Sequence, residues 1–234
     1  MENQGLGIRG WGLGILLALA ATTTSQGLAK AQLQQTGLTI TVWTYNYAHA
    51  PQETTARGKV VAGEILRNAG MEIVWMECPL STGDGRGHPT CHDVLGPLDL
   101  SLRILPKVNP LPFRENTIGF AALSGEGDRG SMASIFYQSV QELAVLGDAP
   151  EAEILGHAIA HEIGHLLLCT IRHTDSGIMR VAWGRKDLKR IQMEGLHFSV
   201  QQGKQMRVEV LARNASAPTR GTASSHTESA AARQ

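Results

Sequence analysis

Three residues within five positions stand out for what they could do together. His161-Glu162-Ile163-Gly164-His165 places two imidazoles four residues apart with a carboxylate between them. On a helix, side chains at i and i+4 lie one above the other on a single face, so both rings are able to reach one metal ion. Glu162 then borders the same site, where a carboxylate takes a proton from metal-activated water. Two histidines do not complete such a centre; a third protein ligand is needed. His157 and Cys169 lie at the same helical spacing, but each is eight residues from the farther histidine of the pair. That is a rise of about 12 Å, too far for ligands that must sit about 2 Å from one ion. His157 is therefore read as a structural helix residue, and Cys169 as a small buried residue near the helix end. The third ligand is expected just beyond the helix.

The element that must carry the pair is legible as a helix from Glu151. Ile154, Leu155, Ala158, Ile159, Ile163, Leu166 and Leu167 recur at helical spacing, and Glu151 and Glu153 fall in the first turn, where the helix dipole favours acidic groups. Upstream, Leu38 to Tyr45 is β-branched and aromatic and predicts a strand. Ala56, Val60, Val61, Ile65 and Leu66 predict a helix that Gly70 stops, and Met71 to Met76 a second strand. Leu98, Leu100, Leu102 and Ile104 alternate with polar residues, the signature of a half-buried strand. Ile118 to Leu123 and Met132 to Tyr137 are further strand candidates. Ser199 and Gln202 have the spacing of a capping box and open a last helix. This order predicts an α+β fold with one mixed sheet, helices packed against it, a long active-site helix and a C-terminal helix.

Past the long helix comes Ile171-Arg172-His173-Thr174-Asp175-Ser176-Gly177-Ile178-Met179. From His161 to Met179 the chain resembles the metzincin branch of zinc peptidases, whose pattern is HExxHxxGxxH followed by a Met-containing turn beneath the metal. More narrowly, HEIGHLLL, then a His, then GIM, is similar to secreted bacterial metallopeptidases of this type. The resemblance implies that His161, His165 and His173 are the zinc ligands, Glu162 the general base and Met179 the residue of the turn. It also implies a zincin-like twisted sheet, with Met132 to Tyr137 as the edge that pairs with an extended peptide. The departures are specific: Leu168 and Ile171 stand where the pattern has Gly and His, so His173 comes two residues late and the returning turn is longer. Cys169 occupies the place where a helix-ending glycine would help. Asp175 is the alternative third ligand, since carboxylate oxygen also binds zinc. Glu194 is discounted, because no NExxSD-like motif surrounds it.

The activity so implied is an exported zinc-dependent metallopeptidase that hydrolyses peptide bonds in a peptide or protein substrate, with Zn2+ as cofactor. The alternatives are a catalytically idle extracellular zinc-binding module, or a zinc hydrolase of a non-peptide amide or ester.

The rest of the chain bounds this reading. Arg9, the apolar run Trp11 to Ala21, and Ala29-Lys30-Ala31 have the layout of an export signal, so residues 1–31 are expected to be removed and the product to be secreted or extracytoplasmic. The metallopeptidase domain is expected over 32–213 and a disordered tail, rich in Ala, Ser and Thr, over 214–234. After signal removal no segment is long and apolar enough to span a membrane. In an oxidising compartment Cys78 and Cys91 are candidates for a disulfide around a Gly-rich loop, leaving Cys169 free. His88 and His92, beside Cys91, are read as solvated loop residues. With 21 Lys plus Arg against 21 Asp plus Glu among 234 residues, and no long basic run, the chain lacks the electrostatic footprint of a nucleic-acid partner.

Overall fold

The computed structural model describes residues 38–80, 91, 94–107 and 117–216. The expected export signal, His88, His92 and nearly all of the expected tail lie outside them. Five strands form one sheet: β1 (Leu38–Asn46), β2 (Met71–Glu77), β3 (Asp99–Leu105), β4 (Gly119–Ala121) and β5 (Met132–Phe136), in the order β2-β1-β3-β5-β4. All pairs are parallel except β4 with β5. Among the described residues five helices accompany them: α1 (Gln52–Asn68), α2 (Tyr137–Gly147), α3 (Glu151–Leu168), α4 (Arg185–Met193) and α5 (Val200–Ala215).

The register explains the core. Val42 pairs with Leu100, Leu102 with Ala133 and Ile104 with Ile135, so these side chains share one face of the sheet. That face packs on Val61, Ile65 and Leu66 of α1 and Ile154, Leu155, Ile159 and Ile163 of α3, all buried. A β1-α1-β2 crossover is what two parallel neighbours require. Helices α1 and α3 approach closely because glycine faces glycine: a Cβ on Gly156 would lie 2.7 Å from the Gly58 carbonyl oxygen and 2.5 Å from Val61 Cβ. From Ile154 onward every residue of α3 is buried, as expected of a helix apolar on nearly all sides.

Three sequence expectations need correction. Met132 to Tyr137 is not an edge strand: β5 lies between β3 and β4, and β4 is one of the two edges of the described sheet, β2 being the other. Tyr137 begins a helix that the strand reading obscured; Tyr137, Val140 and Ala144 are its buried hydrophobic positions. Helix α4 was also unforeseen, since Leu188 and Ile191 are its only buried apolar residues. Helix α5 runs through Ala215. Cys78 and Cys91 are disulfide-bonded, with Cα atoms 5.7 Å apart, and Cys169 is free. No described helix is long and apolar enough to cross a membrane.

Candidate metal centre

Helix α3 delivers His161 and His165 one turn apart, both buried. Each ring is fixed from behind by a backbone carbonyl: His161 Nδ1 lies 2.7 Å from the Ile178 oxygen and His165 Nδ1 2.7 Å from the Thr170 oxygen. Nδ1 must donate in both bonds, so in the neutral rings Nε2 carries the lone pair. The two Nε2 atoms nevertheless face each other at 3.1 Å, and His173 Nε2 lies 3.3 Å from that of His165. Lone pairs brought this close repel unless a cation lies between them. Tetrahedral ligation at about 2.0–2.1 Å per bond separates ligand nitrogens by about 3.3 Å. The donor set therefore fits Zn2+, and the three residues form the only such cluster among those described.

Electrostatics favour the ligand form. Burial, reinforced by the nearby His165, pushes His161 down to about 3. Burial also lowers His165 and His173. All three imidazoles are thus neutral at neutral pH, as metal ligation requires.

The chain reaches His173 by a specific path. Helix α3 ends at Cys169, which adopts the left-handed conformation at φ 52° and ψ 42° without being glycine. The terminal carbonyls of α3 are not left orphaned: the buried Arg213 of α5 donates from Nη2 to the Leu166 oxygen at 2.7 Å. After His173, the Thr174 N–H donates to the Met179 oxygen at 2.8 Å and closes a turn. Met179 is buried beneath the helix, and a Cβ on Gly164 would lie 2.8 Å from its sulfur. Gly164, inside the HExxH segment, is what lets this turn approach. Asp175 is exposed and stands outside the cluster, and Glu194 pairs with Arg190 at the end of α4.

Glu162 is 3% exposed. Burial pushes its carboxyl up to about 8, against a backbone N–H donated by Ala121 of β4 that favours the ionised form. Gly119, on the same strand, leaves it room, since a Cβ there would lie 3.0 Å from Glu162 Oε1. A cavity of about 620 Å3 opens onto His161, Glu162 and His173, walled by Ile118, Leu143, Arg180 and Trp183. Trp183 sets its ring edgewise to His161, with centroids 5.9 Å apart at 87°. Arg180 Nη1 donates at 2.8 Å to Asp187, which also accepts from the Gly184 N–H and caps α4. His157 is held by backbone on both sides: Nδ1 donates to the Glu153 oxygen at 2.7 Å, and Nε2 accepts from the Leu196 N–H at 3.0 Å. The carbonyls of Thr170 and Ile178, and the seat that Gly119 and Ala121 make for Glu162, carry no signal in the sequence.

No family model matches this sequence, and no curated protein is similar to it. Among solved structures, archaemetzincin from Methanopyrus kandleri superposes with a TM-score of 0.48 at 13% identity, over 75% of this chain and 98% of that one. A zinc-dependent peptidase from Methanocorpusculum labreanum gives 0.47 at 15% identity, over 70% and 99%. Metalloproteinase-II from Bacteroides fragilis gives 0.46 at 14%, over 74% of this chain and 54% of that one. At these values the likeness is distant.

Proposed function

We propose that the protein is an exported, metzincin-like zinc metallopeptidase. The observation that carries this is the convergence of three Nε2 atoms, at 3.1 and 3.3 Å, beside the buried carboxyl of Glu162. A zinc ion held there supplies Lewis acidity to a scissile carbonyl and to the attacking water. A carboxylate oxygen of Glu162 takes the water's proton and passes it to the leaving amine nitrogen. The burial of Glu162 in the cleft it shares with His161 and His173 supports this role. The Ala121 N–H orients it.

The substrate reading rests on β4. It is one of the two edges of the described sheet, and Gly119 at its start lines the metal cleft. An extended peptide pairing with such an edge gains affinity from main-chain hydrogen bonds and brings its carbonyls past the site. Export is supported by the Cys78–Cys91 bond, since disulfides persist chiefly in oxidising compartments.

The test is metal analysis of the mature chain, followed by peptide-library cleavage by wild type and Glu162→Gln. Equal zinc in both, with cleavage lost in the variant, supports the peptidase. Stoichiometric zinc without turnover of any peptide rejects it in favour of a binding module. Hydrolysis confined to small esters or acyl amides rejects it in favour of a different hydrolase.

A further inference from the structure

A second cavity, of about 270 Å3, lies where the ends of β1 and β2 meet the first turns of α1, lined by Thr44, Asn46, Gln52, Thr55, Lys59 and Glu77. None of these residues lines the metal cleft.

Its chemistry is one of unused donors. Helix α1 starts at Pro51 with no side-chain cap, so its first-turn amides and the positive end of its dipole lack a side-chain acceptor. The approach of the chain to α1 is fixed: Asn46 Nδ2 donates to the Ala50 oxygen at 2.9 Å, and the Ala50 N–H donates to Asn46 Oδ1 at 3.0 Å. Thr44 sits two residues before Asn46, on the helix-covered face of β1, and pairs with Leu102 and Glu77. It is 1% exposed, yet its Oγ1 has no hydrogen-bond partner among the described residues. A buried hydroxyl left unpaired is unfavourable and marks a place where a partner belongs. Lys59 keeps 12% of its side chain exposed and pairs with Glu77, whose own side chain is 63% exposed. Burial lowers Lys59 below the ordinary lysine value, and a desolvated ammonium gains more from an anion than a hydrated one does.

We infer that this cavity binds a small oxyanion, the phosphate or carboxylate group of a low-molecular-weight ligand. The Thr44 hydroxyl, the Lys59 ammonium and the first-turn amides of α1 are its donors. Helix N-termini bind such groups through the same combination of amide hydrogens and dipole. Glu77 is the internal competitor: it neutralises Lys59 while the cavity lacks a ligand, and its exposed side chain swings into solvent when an oxyanion enters.

The site is tested on zinc-loaded, isotope-labelled protein titrated separately with inorganic phosphate, acetate and chloride, following the Thr44, Gln52 and Lys59 resonances. Saturable shifts with phosphate or acetate in the millimolar range, and none with chloride, are expected. The tighter of the two oxyanions identifies the ligand group. Lys59→Met weakens binding about tenfold or more, whereas Lys59→Arg retains it. Glu77→Gln, at an exposed side chain, tightens binding by removing the competitor. The inference is overturned if neither oxyanion saturates, if shifts appear only at the metal-centre histidines, or if Lys59→Met and Glu77→Gln both bind as wild type.

Discussion

A methyl group on Gly119 of β4 would lie 3.0 Å from Oε1 of Glu162 and 2.6 Å from the Ser134 backbone oxygen. The edge strand and the proposed base are therefore fitted to each other, and the backbone on the far side cannot yield. Gly119→Ala displaces the carboxylate while leaving the histidines untouched. Since a shift of about 1 Å in a reacting group costs on the order of 100-fold, kcat/KM for peptide cleavage is expected to fall by about that much with zinc content unchanged. Unaltered cleavage would show that the Glu162 seat is not catalytically tuned.

The third ligand is decided by metal retention. His173 is exposed, but its Nε2 completes the cluster, whereas Asp175 stands outside it. His173→Ala is expected to lose zinc on dialysis against a mild chelator, and Asp175→Ala to keep it at wild-type stoichiometry by elemental analysis. The reverse pattern would move the centre to the carboxylate.

His157 predicts an acid sensitivity separate from the metal. Its Nε2 accepts the Leu196 N–H and therefore cannot hold a proton without breaking that bond. Burial lowers its folded-state value below the ordinary 6.5. Below that pH the unfolded chain binds the extra proton and the folded chain does not. The stabilisation is thus complete above 6.5 and is lost as pH falls towards the depressed folded value. Urea midpoints measured between pH 7.5 and 5 should fall more steeply for wild type than for His157→Gln, and parallel slopes would refute the assignment.

The glycine contact between α1 and α3 sets a stability test far from the chemistry. Gly156→Ala drives a methyl against the Gly58 carbonyl and Val61, and overpacking of this kind costs about 1–3 kcal/mol. Denaturant unfolding should show that loss. A variant as stable as wild type would mean that the helices separate freely.

Much of the site was legible beforehand because its first part is local. The four-residue spacing of His161 and His165 puts both on one face of any helix, and the apolar period from Ile154 to Leu167 says that a helix is there. Strand alternation from Leu98 to Ile104 anticipated β3 in the same way. The helix at Tyr137 was legible in principle, through Tyr137, Val140 and Ala144, but it follows a strand without a break and was absorbed into it.

What the sequence alone determined are properties fixed by backbone periodicity: a helix bearing two imidazoles on one face, strands with one apolar side, and a cap at Ser199. What only the tertiary structure decided are meetings between residues far apart along the chain. The path from Cys169 to Met179 brings His173, rather than Asp175, to the pair, and antiparallel pairing puts β4 outside β5 and beside Glu162. Local rules carry no information about such meetings, because they depend on how whole elements pack and on backbone turns, such as the left-handed residue at Cys169, that residue type alone disfavours.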